Sequence, residues 1–159
     1  MFRKFTSFAV LALSLTVVAH AQDPKSVLEK YLADGPGKIA FMGVFLDSRS
    51  RAALTYAFPM VHEKLHAEHV TLRLRPGGAD LAGNVGRRVS VRVIGYAEDD
   101  RCQVVAVRLP SDILCDNAIP HITMSVAPGV PPKYSNDLLL RGFDPLDGPT
   151  LTGIIGVGR

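Results

Sequence analysis

Two histidines in this sequence are each followed, two positions later, by a threonine: His69 by Thr71, and His121 by Thr123. Both pairs lie in runs where polar and apolar residues alternate, as in strands with one buried face. The alternation places the histidine and threonine of each pair on the polar face. An imidazole exchanges a proton near neutral pH, and a hydroxyl donates a hydrogen bond to an oxygen that gains charge. Two such faces lining one groove would support acid–base catalysis.

The same alternation predicts further residues on these polar faces. Arg73 continues the face of His69 and Thr71, where a guanidinium would meet an anionic group. The competing interpretation for Arg73 is a solvated strand end. Ser125 continues the face of His121 and Thr123, and either contacts the same ligand or only bonds to the backbone.

The stretch before the first of these strands supports an alternative hypothesis. His62, Glu63 and His66 form H-E-x-x-H, in which a helix places two histidines on one face to bind zinc, with the glutamate as general base. The helix available here would be very short. The third ligand offered by the spacing, His69, falls where the pattern changes to that of a strand. A zinc-dependent hydrolase is therefore the alternative to two-histidine catalysis.

The elements that must position these residues form a mixed pattern. A helix is predicted from an Asp47 or Ser48 cap to about Phe58. Runs rich in β-branched or alternating residues predict about six strands: Lys38 to Leu46, His69 to Arg75, Val89 to Ala97, Gln103 to Leu109, His121 to Val126 and Leu151 to Val157. The two central runs, separated by a short polar turn, are expected to pair as a hairpin. The fold class is therefore α+β and mostly antiparallel.

The first 21 residues have the features of a cleaved signal peptide. A basic start with Arg3 and Lys4 precedes an apolar run and an Ala-His-Ala sequence. We predict a signal peptide over residues 1–21, a single domain over residues 22–159, and a secreted or periplasmic location. The whole chain has 18 basic and 15 acidic residues, so without Arg3 and Lys4 it is nearly neutral, which argues against indiscriminate polyanion binding. In an oxidising compartment, a disulfide between Cys102 and Cys115 is expected.

The paired motifs resemble those of the two-histidine (2H) phosphoesterase superfamily. The second motif continues as PHITMSVAPGVPPKYSNDLL, which is similar to the corresponding region of the cyclic phosphodiesterase domain of fungal and plant tRNA ligases. The resemblance implies a two-lobed α+β fold of mostly antiparallel sheets, with a central groove and two or three helices outside. It also implies a cyclic phosphodiesterase that acts on RNA 2′,3′-cyclic phosphate ends or cyclic nucleotides and leaves a 2′-phosphate.

In such an enzyme His69 and His121 would be the acid–base pair, while Thr71 and Thr123 would donate to the phosphoryl oxygens. Lys133, Tyr134, Ser135 and Asn136, in the loop after the second motif, would lie where a nucleotide binds. Turn formation is the competing explanation for Ser135 and Asn136. Histidine and hydroxyl donors would replace a metal, so no cofactor is expected. We also expect a monomer without stable membrane association. A binding module that keeps the groove but performs no chemistry is the third hypothesis.

Overall fold

The computed structural model describes residues 39–159, together with Glu29 and Ala33. Residues 39–159 form eight strands and three helices. The strands are β1 (Phe41–Leu46), β2 (Lys64–Leu65), β3 (His69–Leu74), β4 (Arg88–Glu98), β5 (Cys102–Arg108), β6 (His121–Val126), β7 (Asp144–Pro145) and β8 (Thr150–Gly158), and the helices are α1 (Ser48–Ala57), α2 (Gly78–Asn84) and α3 (Tyr134–Leu140). The predicted signal peptide, residues 1–21, lies outside the described residues and stays a prediction. No helix in the described part of the chain is long and apolar enough to span a bilayer.

Local sequence signals account for several of these elements. Helix α1 begins after Asp47, whose carboxylate accepts a hydrogen bond of 2.8 Å from the backbone N–H of Ser50, as expected of an N-cap. Strands β4 and β5 pair as the predicted antiparallel hairpin. Val70 in β3 is fully buried, as the alternating pattern predicted.

All strand pairings are antiparallel, in the order β2-β6-β5-β4-β8-β1-β3, with β7 added against β4. The α+β, antiparallel prediction is therefore confirmed. One apolar cluster fills the space beneath most of the sheet and includes buried residues of β1, β3, β4 and β8. A second, smaller cluster lies between helix α3 and strands β5 and β6.

The segment from β2 to β3 connects the two ends of the sheet. The backbone N–H groups of His66 and Ala67 donate to the carbonyls of Met124 and Thr123 in β6, at 2.8 and 2.9 Å. Ala67 has a positive φ of 50° and is fully buried, and beyond it the chain pairs with β1 at the opposite end of the sheet. This crossing brings β3 close to β6, although the two strands are not hydrogen-bonded neighbours. The central groove predicted from the sequence lies between them.

A β-bulge follows the threonine in each motif strand. In the β1–β3 pairing Gly43 lies opposite Thr71 and Met42 opposite Arg73, so Leu72 is the extra residue. An extra residue interrupts the alternation of side chains between the two faces of a strand. Arg73 therefore lies on the same side as Leu72, away from the groove, and the prediction that it shares the face of Thr71 is wrong.

The bulge in β6 has the same effect. Thr123 pairs with Val104 and Ser125 with Gln103, so Met124 is the extra residue. Ser125 consequently lies on the face opposite to Thr123. The prediction that Ser125 extends the polar face of the second motif is wrong for this reason.

Candidate active site

The two motif strands line one groove of about 280 Å³. His69 and Thr71 enter it from β3, and His121 and Thr123 from β6. The remaining lining residues surround these four side chains and come from β1, the crossing segment, the end of β3 and the loops beside β6: Phe41, His66, Glu68, Leu74, Asn117, Pro132, Lys133 and Asn136. The geometry on which two-histidine chemistry depends, two imidazoles in a common cavity, is present.

His69 is held between aromatic rings. Its imidazole stacks on Phe41 with ring centroids 4.6 Å apart, and the ring of Phe45 lies 5.3 Å away on a tilted plane. Nδ1 of His69 is buried without a hydrogen-bond partner among the described residues. Burial is the main cause that lowers the pKa of His69, and the nearby charges of His66 and His121 lower it further, whereas Glu68 raises it. The imidazole of His69 is therefore biased towards its neutral form.

Two glycines of β8 make room for these rings. A Cβ on Gly158 would lie 2.2 Å from the ring of Phe41, and one on Gly156 would lie 3.2 Å from the ring of Phe45. The aromatic support of His69 was missed in the sequence. The sequence shows the glycines of β8 and the phenylalanines of β1. It does not show the β1–β8 register that places them beside each other.

His121 is fixed by a backbone carbonyl. The side chain is buried, and its Nδ1 lies 2.8 Å from the carbonyl oxygen of Ile119. The carbonyl can only accept, so Nδ1 carries a hydrogen and Nε2 is the nitrogen that can gain or lose a proton. Burial lowers the pKa of His121, and the Ile119 carbonyl partly opposes this shift.

The two threonines are supported differently. The Oγ1 atom of Thr123 lies 2.8 Å from the Oγ of Ser135 and 3.4 Å from the carbonyl oxygen of Pro132. Thr71 is anchored through its carbonyl oxygen, which accepts from the thiol of Cys115 at 3.4 Å and from the amide of Asn117 at 3.5 Å. In both strands a threonine hydroxyl borders the same cavity as the histidines.

Three of the residues predicted to bind substrate are held elsewhere, and Lys133 alone of the four lines the groove. Ser125 is fully buried and its hydroxyl donates to Oε1 of Gln103 at 2.8 Å. Arg73 forms ion pairs with Asp80 and Asp116, at 2.6 and 3.1 Å.

Tyr134 begins helix α3, and its hydroxyl donates to the carboxylate of Asp99 at 2.8 Å. The guanidinium of Arg141 also contacts this carboxylate, at 2.8 Å, and the tyrosine hydroxyl, at 2.6 Å. The Tyr134 hydroxyl is bonded to Asp99 and Arg141, and Tyr134 does not line the groove. Its position therefore does not support the prediction that Tyr134 contacts substrate.

The zinc hypothesis requires a helix over residues 62–66, and these residues are not helical. Residues 62 and 63 form a bend and Lys64–Leu65 forms strand β2, so His62 and His66 do not share a helix face. His66 lines the groove whereas His62 does not. No group of three or more His, Cys, Asp or Glu side chains that could hold a metal ion occurs among residues 39–159, Glu29 and Ala33.

Both cysteines are free, so the predicted disulfide is wrong. Cys102 is fully buried in the smaller cluster beneath helix α3. Cys115 instead packs against the larger cluster and contacts Thr71. Burial raises the pKa of both thiols, which keeps them protonated.

The groove has little permanent charge. Of the described residues that line it, Lys133 and Glu68 are the only ones that are charged irrespective of histidine titration. Glu68 also forms an ion pair of 3.3 Å with Arg51. Burial and the charge of Lys64 lower the pKa of His66, against the opposing effect of Glu68. Such a site suits one anionic group near the histidines better than a long polyanion.

Comparison with protein families matches residues 60–150 to the fungal tRNA ligase phosphodiesterase domain. The matched region is more than half of the chain and includes both motif strands with their bulges and helix α3. Comparisons with curated proteins and with solved structures found no match. The matched region contains both histidines and both threonines that line the groove, and the chain belongs to the family of fungal tRNA ligase phosphodiesterase domains.

Proposed function

We propose that the chain opens 2′,3′-cyclic phosphate ends of RNA or nucleotides by acid–base catalysis with His69 and His121, and that it leaves a 2′-phosphate. The observation that carries this proposal is the position of both imidazoles in one groove, each with a threonine hydroxyl two residues away. Membership of a phosphodiesterase family supports the reaction class and RNA-related substrates.

The reaction needs two proton transfers and stabilisation of one charge. One histidine accepts a proton from water as the water oxygen forms a bond to phosphorus. The bond from phosphorus to the ribose 3′-oxygen breaks, and the second histidine protonates that oxygen. Thr71 and Thr123 hydroxyls donate to the non-bridging oxygens, where negative charge increases. The product carries its phosphate on the 2′-oxygen.

The size and charge of the groove support binding of one terminal nucleotide. Lys133 can pair with a single anionic group, and Phe41, Leu74 and Pro132 offer apolar surface to a ribose or a base. The amides of Asn117 and Asn136 can donate to and accept from polar groups of the same nucleotide. Asn117 and Phe41 were not identified from the sequence, whereas Asn136 was expected from the sequence to lie near a nucleotide.

Turnover of a nucleoside 2′,3′-cyclic phosphate in excess chelator tests the proposal. His69→Ala and His121→Ala should each lower kcat by about 10²–10⁴-fold, the usual contribution of general acid–base catalysis. His62→Ala is the matched control, because this histidine lies in the same region but does not line the groove. Phosphorus NMR of the product distinguishes a 2′-phosphate from a 3′-phosphate.

Rates of both groove variants within about threefold of the parent would refute the proposal, since general acid–base catalysis contributes far more than that. A 3′-phosphate product would refute the regiochemistry alone. Binding of a cyclic-phosphate oligonucleotide without turnover would instead identify a binding module.

A further inference from the structure

A buried chain of three hydrogen-bonding groups lies behind the second motif. Ser135, in the first turn of α3, is fully buried, and its Oγ is 2.8 Å from Oγ1 of Thr123. On its other side the same Oγ is 3.3 Å from the sulfur of Cys102, which is also fully buried. Of these three groups only Thr123 reaches the groove.

The number of hydrogens limits how this chain can be arranged. Each of the three groups carries a single hydrogen to donate, and a thiol sulfur accepts only weakly. The favoured arrangement therefore has the Cys102 thiol donating to Ser135 and the Ser135 hydroxyl donating to Thr123. The reverse direction would place the hydroxyl hydrogen of Ser135 on the sulfur, the poorer acceptor.

The favoured direction leaves the hydrogen of Thr123 available. Among the described residues, the acceptor that remains for it is the carbonyl of Pro132 at 3.4 Å, which is too long for a strong hydrogen bond. A phosphoryl oxygen in the groove is then the better acceptor. Without the Ser135 hydroxyl, no group in the described part of the chain donates to the Thr123 oxygen, and the Thr123 hydroxyl can rotate its hydrogen away from the groove.

We propose that Ser135, backed by Cys102, is a positioning residue that orients the Thr123 hydroxyl as a donor to the phosphoryl group. The inference rests on the proposed function and adds to it a residue that does not touch substrate. It also gives a role to the buried Cys102, which forms no disulfide and does not line the groove.

A double-mutant cycle tests the proposal. Ser135→Ala should lower kcat about tenfold, the equivalent of one net hydrogen bond, and change KM less than about twofold. Thr123→Val should lower kcat more, because it removes the donor itself. Ser135→Ala added to Thr123→Val should cause no further loss, since a positioning residue has nothing to orient once the hydroxyl is gone.

One control variant separates orientation from folding, and a pair of Cys102 variants tests the contribution of the thiol. Ser50→Ala removes a buried serine hydroxyl that bonds to Thr152 at 3.2 Å outside the groove, so it should lower stability without changing kcat. Cys102→Ser replaces the thiol by another hydrogen-bond donor and should lower kcat less than Cys102→Ala, which removes the donor behind Ser135. Multiplicative losses from Ser135→Ala and Thr123→Val, or an unchanged kcat for Ser135→Ala, would overturn the proposal.

The affinity for inorganic phosphate, measured by calorimetry, provides the same cycle without turnover. Ser135→Ala should weaken phosphate binding only in the presence of Thr123. If the parent does not open cyclic phosphates, the proposed function fails, yet this cycle still decides whether Ser135 acts through Thr123. Equal weakening in both backgrounds would refute that role.

Discussion

Thr123 and Ser125 are two residues apart on β6, and loss of the two hydroxyls is expected to affect different properties of the protein, catalytic rate for Thr123 and stability for Ser125. The Ser125 hydroxyl is buried, donates to Gln103 at 2.8 Å and accepts from the backbone N–H of His62 at 3.1 Å. Ser125→Ala leaves the His62 N–H without this acceptor and Gln103 without its closest donor. At about 1 kcal/mol for each lost hydrogen bond, the variant should be about 2 kcal/mol less stable than the parent. Its kcat/KM should be unchanged, because Ser125 does not line the groove.

Thr123→Val keeps the shape of the side chain and removes the donor to the phosphoryl oxygen. Loss of one such donor typically lowers kcat by about 10²-fold. The expected loss of stability is smaller, about 1 kcal/mol, because one hydrogen bond to Ser135 is removed. Ser125→Ala is therefore expected to lower mainly the stability, and Thr123→Val mainly the rate.

Urea unfolding followed by circular dichroism and initial rates on a nucleoside 2′,3′-cyclic phosphate measure the two quantities. With an m-value of about 2 kcal/mol/M, Ser125→Ala should lower the unfolding midpoint by about 1 M. The result that would refute this reasoning is a tenfold lower kcat/KM for Ser125→Ala with an unchanged midpoint. That outcome would mean that the Ser125 hydroxyl contacts the substrate and that the bulge is not at Met124.

Two further predictions concern His69 and its surroundings. Burial lowers the pKa of both His69 and His121 from 6.5, so both limbs of the bell-shaped kcat/KM profile should lie below that value. On the alkaline side, kcat/KM should already be falling below pH 6.5, where the acid loses its proton. A limb above about pH 7 in a pH–rate profile would contradict this, since kcat/KM reports the free enzyme. Gly158→Ala should push the ring of Phe41 away from His69 and lower kcat about tenfold through misplacement of the imidazole. Gly83→Ala, where a Cβ meets nothing within 4 Å, should leave the rate unchanged, and equal rates for the two alanine variants would refute the role of Phe41.

The elements that follow from local rules were predictable. Alternation identified β3 and β6, and the Asp47 cap identified the start of α1. The order of the strands was not, because β8 inserts between β1 and β4 from the far end of the chain. Pairing over that distance depends on complementary surfaces that a single sequence does not display.

Tertiary pairing also determines the backbone conformation of the H-E-x-x-H stretch. The four-residue spacing of His62 and His66 suits a helix, but the backbone N–H of His66 donates to Met124 in β6 and Lys64–Leu65 pairs with the same strand. The disulfide prediction failed for a related reason, since the rule for oxidising compartments contains no geometry. Cys102 and Cys115 lie against different apolar clusters.

The bulges explain why both histidine–threonine pairs line the groove whereas Arg73 and Ser125, predicted on the same strand faces, do not. Strict alternation would have kept Arg73 on the face of Thr71, and no residue in that strand marks the position where the alternation stops. The residue associated with the bulge is Gly43 in the partner strand. A Cβ on Gly43 would lie 2.6 Å from the carbonyl oxygen of Val70, so only glycine permits the close approach of the two backbones. Each bulge comes after the threonine, so both histidine–threonine pairs remain on the groove face. A bulge one residue earlier would have turned the threonine towards the core and separated the hydroxyl from its imidazole.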